Sequence, residues 1–529
     1  MKKNLALLTA LVILSAVALT VPAMAEAPAY NPDAIIYIYS TDDPTHLDPS
    51  LATDGQSTVV TGLLFNSLVG YNRDGSIFPD VAESWTVSDD GLTYTFKIRD
   101  GIKFHDGTVC DAYAVEWNWN RVIPWNATPE MTYSTILFGN VESFEATDAS
   151  TFAVTLKTRD STFLTLQGSS SLAAALLSPA AYEADPEGAD RNPVGTGPYK
   201  FVELKAGQYV RAERYDDYHR GVPSNGGVII RIIPESSTAV SELMTGGLDY
   251  VGSLAADQVD LLRSAQGVEV ITTPSQNLSI LSFADYEKNP LFSDKRVRQA
   301  VREALDLESI NKALYGDAMV TAISPIPPGM QSGVRDDYVN YPYDPEHAKE
   351  LLAEAGYPDG ITATMLTYNV VKGYNPAGEQ LAVQIQAELA KAGINIEIKI
   401  LPWGEFVEVM YTDPVEGYDM LLHGWGADYF DTSNIIFLWS EEESGGGANH
   451  PGYVDEEFEA IFKAAKESSD YNEAGELYAQ AAQKIQTDLP SIITGHGVQY
   501  TGFSPKLANG GDILMSVAGN HTWQLQKAD

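Results

Sequence analysis

The chain has 529 residues, and 72 acidic against 33 basic side chains give it a formal charge of −39 at neutral pH. That balance excludes nucleic acid and anionic membrane as partners for most of the surface, and the acids read first as a solvated coat rather than as a trap for cations. The length exceeds what one hydrophobic core organises, so two or three domains are expected, and a single cysteine, Cys110, excludes an intramolecular disulfide.

At the N-terminus, Met1-Lys2-Lys3, an apolar run over 5–21, Pro22 and Ala23-Met24-Ala25 follow the three-part plan of a secretory signal peptide, with cleavage before Glu26. A membrane span is the competing reading, but no positively charged stop-transfer segment follows the run. Cleavage removes Lys2 and Lys3 and no acid, which deepens the charge to −41. No cysteine stands just after the cleavage point, so a free periplasmic protein is expected rather than a lipid-anchored one.

Residues 35–39 alternate in polarity and are rich in β-formers, which suits an entry strand. Short alternating runs at 84–87, 94–98 and 102–104 are separated by Asp89-Asp90-Gly91 and Asp100-Gly101, turns that join antiparallel hairpins. Runs at 144–146 and 152–156, around Asp148-Ala149-Ser150, give another hairpin. Cys110 reads as a small buried apolar residue. Beyond residue 290 the period changes: Val297, Ala300, Val301, Ala304, Leu305 and Ile310 predict one helix over 293–314 that stops at Gly316. A second helix starts at Asp344-Pro345 and ends at Gly356, and a third over 378–392 leads into a strand at 394–400. Two more helices are expected between Asp455 and Gln486, closed by Pro490. Helix followed by strand at this spacing points to α/β layers. Gly445-Gly446-Gly447 reads as a surface loop, because no Lys-Ser or Lys-Thr pair follows it to cradle phosphate.

A search for enzyme chemistry returns little. There is no Gly-x-Ser-x-Gly elbow, no His-Glu-x-x-His helix and no Cys-x-x-Cys pair. His105-Asp106 stands just before Gly107 and reads as a turn, and His423 and His496 belong to no metal-ligand spacing, so each is expected to be a hydrogen-bonding side chain. Aromatics beside isolated charges are more telling. Trp403 ends the strand at 394–400, and Gly424-Trp425-Gly426-Ala427-Asp428-Tyr429 follows the apolar run at 420–422. Glycines here allow close backbone approach to a ligand, Trp425 and Tyr429 offer apolar walls, and Asp428 suits a cationic group. The competing reading makes Trp425 core and Asp428 a helix cap, and spacing alone favours it.

These segments resemble a known family, the dipeptide, oligopeptide and nickel-type solute-binding proteins, family 5. The resemblance runs in order through Leu47-Asp48-Pro49, Leu63-Leu64-Phe65-Asn66-Ser67-Leu68-Val69, Pro79-Asp80-Val81-Ala82-Glu83-Ser84-Trp85, Phe104-His105-Asp106-Gly107-Thr108, Gly195-Thr196-Gly197-Pro198-Tyr199, Arg296-Val297-Arg298-Gln299-Ala300 and the segment from Gly424 to Asp428. It implies an α/β clamshell of the periplasmic-binding-protein type II, two hinged lobes with an extra domain inserted in the first. On that plan lobe I takes 26–69, 195–282 and 490–529, the hairpin-rich insert 70–194, and lobe II 283–489.

The resemblance implies further that Asp428 binds a ligand's α-ammonium group, and that Lys372, in Lys372-Gly373-Tyr374-Asn375-Pro376, stands where an arginine clasps the ligand carboxylate. Lysine keeps the charge but loses the planar fork, which puts a dipeptide-length preference in doubt. Ala114 replaces an acid common after the His105 turn. The expected function is the substrate-binding component of an ABC importer: it captures di- or oligopeptides in the periplasm and delivers them to the membrane permease subunits. The expected ligand contacts are Asp428, Trp425, Tyr429, Trp403 and Lys372, with no catalytic residue, metal or cofactor, no nucleic acid, and a monomeric receptor. Oligosaccharides or metal chelates as ligands, and more remotely a secreted hydrolase, are the alternatives.

Overall fold

The computed structural model describes residues 30–529, apart from 170, 287, 331, 413–416, 428, 442–448, 469 and 516–518. The expected signal segment, its cleavage point and Gly445-Gly446-Gly447 lie outside the described residues, and so does Asp428.

The entry strand Ile35–Ser40 lies parallel to Gly227–Ile232 over its whole length. Tyr209–Arg214 and Tyr199–Lys205 continue that sheet antiparallel on one side, and Tyr250–Val251 leads on the other to a long strand, Ser491–Phe503. This long strand belongs to two sheets. Its C-terminal half pairs with Glu269–Pro274, from Glu269 opposite Phe503 to Pro274 opposite Val498. Its N-terminal half pairs with Asn277–Phe283, from Ser279 opposite Gly495 to Ser282 opposite Ser491. Asn277–Phe283 is bound in register to Met420–Gly426, and Ile361–Tyr368 and Ile394–Leu401 complete the second sheet in parallel. Strands buried on both faces read as apolar runs, as Met420-Leu421-Leu422 does.

The two sheets therefore meet through a pair of adjacent strands. One chain passes between them at Ser275 and Gln276, and the other passes back near His496 and Gly497. The crossing at Ser275 and Gln276 falls between two strands, Glu269–Pro274 and Asn277–Phe283, and the return falls inside Ser491–Phe503.

Between residues 82 and 156 a separate antiparallel sheet runs in the order Ala82–Val87, Thr93–Ile98, Thr151–Leu156, Val141–Asp148. Helix Ala112–Val122 covers it, capped by Asp111 through the Ala114 N–H at 3.0 Å. Its buried Trp119 meets Phe138, Phe152 and Phe144 edge-on at 4.9, 5.0 and 5.5 Å, so one indole organises this core. Cys110 is buried in it, and burial pushes its thiol pKa up, which leaves the sulfur inert.

Two sequence expectations need correction. Residues 102–104 form no strand; a single bridge joins Lys103 to Val109 across a turn in which Gly107 has φ +86° and Asp106 accepts the Thr108 N–H. The helix expected over 293–314 is two, Lys295–Glu303 and Leu307–Tyr315, because the Asp306 carboxylate takes the Ser309 N–H at 3.1 Å and starts a new helix.

Candidate functional site

A cleft lies between the two sheets. It has a volume of about 530 Å³ and is lined by Thr58, Tyr71 and Asn520 from the first-sheet side and by Tyr429 and Phe430 from the segment after Met420–Gly426. Gln499 and Thr501 line it from the shared long strand, two residues apart and so on one face. A second cavity of about 250 Å³ adjoins the hinge, walled by Ser275, Asn277, Gly426 and Ala427. Gln276 and Gln499 line both cavities and stand where the crossing strands meet.

Aromatic contacts tie the cleft walls together. The Tyr71 ring lies 5.7 Å from Phe430, and the Tyr71 hydroxyl donates to the Thr165 carbonyl. Tyr429 packs against the core of the inserted sheet. Burial pushes the hydroxyl pKa of Tyr71 and Tyr429 upward, so both remain neutral at physiological pH. A backbone bond from the Ser161 N–H to the Lys466 carbonyl, 2.7 Å, adds a contact from the inserted domain to the far wall. Just past the aromatics, Asp431 is buried, accepts the Ser433 N–H at 2.8 Å, and has its carboxyl pKa raised to about 6 by burial, with Asp160 adding to the effect.

The hinge itself is neutral. Burial lowers the His496 pKa to about 4, and its ring sits 2.9 Å from the Ser324 carbonyl and 3.2 Å from the Asn277 carbonyl. His423, 2.8 Å from the Ser282 hydroxyl, is likewise held neutral by burial and by His450. His105 is held near the turn by Gly195 and Gly197, and burial lowers its pKa to about 4. Among the described residues no cluster of three or more His, Cys, Asp or Glu is placed to hold a metal ion, and no helix is long and apolar enough to cross a membrane.

The residues singled out from sequence separate into two groups. Tyr429 lines the cleft, and Gly426 and Ala427 line the hinge cavity. Asp428, between them in the chain, lies outside the described residues. Trp425 instead turns into the second-sheet core: its indole N–H donates to Asn434 Oδ1 at 3.2 Å and its ring meets Phe437 edge-on at 5.4 Å. Trp403 packs with Tyr368 and Phe406 at 5.0 and 5.7 Å. Lys372 is placed with it, its ammonium 3.7 Å from the Trp403 ring centroid. Neither is among the residues lining the two cavities. Sequence reasoning missed Gln276, Gln499, Thr501, Tyr71 and Phe430, whose only local signal is polar alternation on the strand bearing Gln499 and Thr501.

Two α/β lobes, two strands passing between them and a cleft at the crossing define a type II periplasmic-binding-protein clamshell. HbpA2 from Haemophilus parasuis has this fold with a TM-score of 0.83 at 25% identity, covering 90% of this chain and 96% of that one. The family model of bacterial extracellular solute-binding proteins, family 5 Middle, matches residues 76–447, and the chain belongs to that family. It is 29% identical to heme-binding protein A of Haemophilus influenzae over 92% of this chain and 91% of that protein. It is 31% identical to the oligopeptide-binding protein AppA of Bacillus subtilis, over 86% and 84%.

Proposed function

We propose that this chain is the substrate-binding component of an ABC importer, that it captures di- or oligopeptides in the periplasm after losing its first 25 residues, and that it hands them unchanged to the membrane permease. The observation that carries the reading is the cleft at the strand crossing, walled by both lobes and rich in hydroxyl and amide groups. Similarity to an oligopeptide-binding protein over most of both chains supports peptide as the ligand. The lobes divide at the crossing: 26–69, 195–276 and 497–529 form the first, 277–496 the second, and 70–194 the insert.

In this reading the peptide enters the open cleft, its ammonium group pairs with Asp428, and closure excludes water while Tyr429 and Phe430 cover the side chains. A unit charge pair about 4 Å apart contributes about 4 kcal/mol at an effective dielectric of about 20, before desolvation is subtracted. The pair therefore orients the ligand, and enclosed contacts supply much of the affinity. Trp425 acts as a support behind the segment. The Lys372 ammonium is engaged with the Trp403 ring, so a role on the ligand carboxylate requires it to leave that ring.

Calorimetry with paired peptides tests the reading. Asp428→Asn is expected to weaken free-amine peptides at least tenfold and N-acetylated ones little; equal losses remove Asp428 from the anchoring role. The resemblance to heme-binding protein A favours one second reading, an iron chelate as ligand. Titration with hemin distinguishes the two, since a saturable Soret shift at one equivalent is expected only for the chelate.

A further inference from the structure

One residue in five of this chain is charged, yet among the twenty described residues lining the main cleft, where about four would be expected at that frequency, there is no Asp, Glu, Lys or Arg. The eight lining the hinge cavity include none either. Asp428, the carboxylate assigned above to the ligand's ammonium, stands outside the described residues. The remaining polar side chains are hydroxyls and amides together with the His521 imidazole, and several are already engaged: Tyr71 donates to Thr165, and the Tyr250 hydroxyl lies 3.3 Å from that of Thr522.

Gln499 is different. It is exposed on the crossing strand, lines both cavities, and its side-chain amide has no hydrogen-bond partner among the described residues. A primary amide offers two donors and one acceptor, which matches a peptide bond or a neutral polar side chain and cannot neutralise an ion. A charged ligand side chain enclosed here would lose its water and meet no Asp, Glu, Lys or Arg among the described lining residues, and burying an unpaired ion is far more costly than burying a neutral amide or hydroxyl.

We propose that the cleft selects peptides whose enclosed side chains are uncharged, with Gln499 as the residue that reads them at the hinge. This rests on the peptide reading above and narrows its substrate class. The selectivity is local: at physiological ionic strength the chain's net negative charge is screened beyond roughly 8 Å, so it does not substitute for a counter-ion in the cleft.

The test offers the whole mature protein a thermolysin digest of casein, which contains peptides of mixed length, and reads the retained peptides by mass spectrometry. Wild type is expected to retain peptides depleted at least fivefold in Lys, Arg, Asp and Glu relative to the digest. Gln499→Glu is expected to enrich Lys- and Arg-containing peptides at least tenfold over wild type, and Gln499→Met to weaken all retained peptides about tenfold without that change of composition. Melting curves identify any variant that fails to fold, and Gln499→Asp then replaces it. Retention that mirrors the digest in wild type, or a Gln499→Glu profile equal to wild type, overturns the proposal while leaving the peptide reading intact. If no peptide is retained by wild type, the peptide reading fails and the selectivity falls with it.

Discussion

Asp431 shows what burial behind the cleft wall does to a carboxylate that no cation among the described residues neutralises. It is buried beside Tyr429, and its charge reaches the hydroxyls of Tyr71, Tyr471 and Tyr478, while Asp160 opposes it from the inserted domain. Burial raises its pKa to about 6, whereas an unfolded aspartate titrates at about 3.9. Between those values the folded chain keeps a proton that the unfolded chain has released, so stability from this group is full in acid and falls as pH rises through the window. At pH 7 the deficit amounts to about 3 kcal/mol as an upper figure. Asp431→Asn keeps an acceptor for the Ser433 N–H and carries no charge. It is expected to raise the melting temperature at pH 7 and to leave it unchanged at pH 4; a fall at pH 7 would show that the charge is needed.

At the scale of elements, the buried pair Asp48 and Arg121 joins the loop after the entry strand to the helix over the inserted sheet. Two bonds of 2.7 and 3.1 Å link side chains only 6% and 8% exposed. Burial pushes the Asp48 pKa up, but the charge and hydrogen bonds of Arg121, with Ser50, outweigh it and hold the carboxyl below its usual range. Its contribution is present above the unfolded value and is lost as pH falls through the lower folded one. Asp48→Asn leaves a buried guanidinium without its counter-ion and is expected to cost about 3–5 kcal/mol in urea unfolding, whereas Asp48→Asn with Arg121→Met is expected to cost less. A double variant worse than the single one would contradict this.

The same pair shows what was legible in sequence. Leu47-Asp48-Pro49 stood out as part of a resemblance, but Arg121 lies 73 positions away and no local pattern joins them. Hairpins at 82–98 and 141–156 were readable because alternation and Asp-rich turns are local, and the helices over 345–354 and 378–391 because caps and period agree. The break at Asp306 was hidden because the apolar period runs on through it. Of the cleft, only the segment bearing Tyr429 was visible; Gln499 and Thr501 alternate like residues of any half-exposed strand, and only the meeting of two sheets makes them a floor.

For the molecule as a whole, function depends on what the two crossing strands permit. At the crossing, the Gly497 N–H donates to Asn277 Oδ1 at 2.9 Å, and a Cβ on residue 497 would lie 2.6 Å from that same oxygen and 3.2 Å from Asn277 Cγ. Asn277 opens the other crossing strand, and the atoms met are the end of its side chain, so Gly497→Ala turns that amide aside and removes the bond between the two strands. Losing that bond and turning its acceptor costs about 1 kcal/mol. If the cost falls mainly on the closed form, it subtracts directly from the ligand's differential affinity for that form, the only quantity by which a ligand shifts the lobes. Gly497→Ala is then expected to weaken a retained peptide by about 5-fold, and X-ray scattering is expected to show ligand-induced compaction in wild type that is smaller in the variant at the same peptide concentration. A lowered melting temperature with unchanged affinity and compaction would put the cost equally on both forms and take Gly497 out of the hinge mechanism.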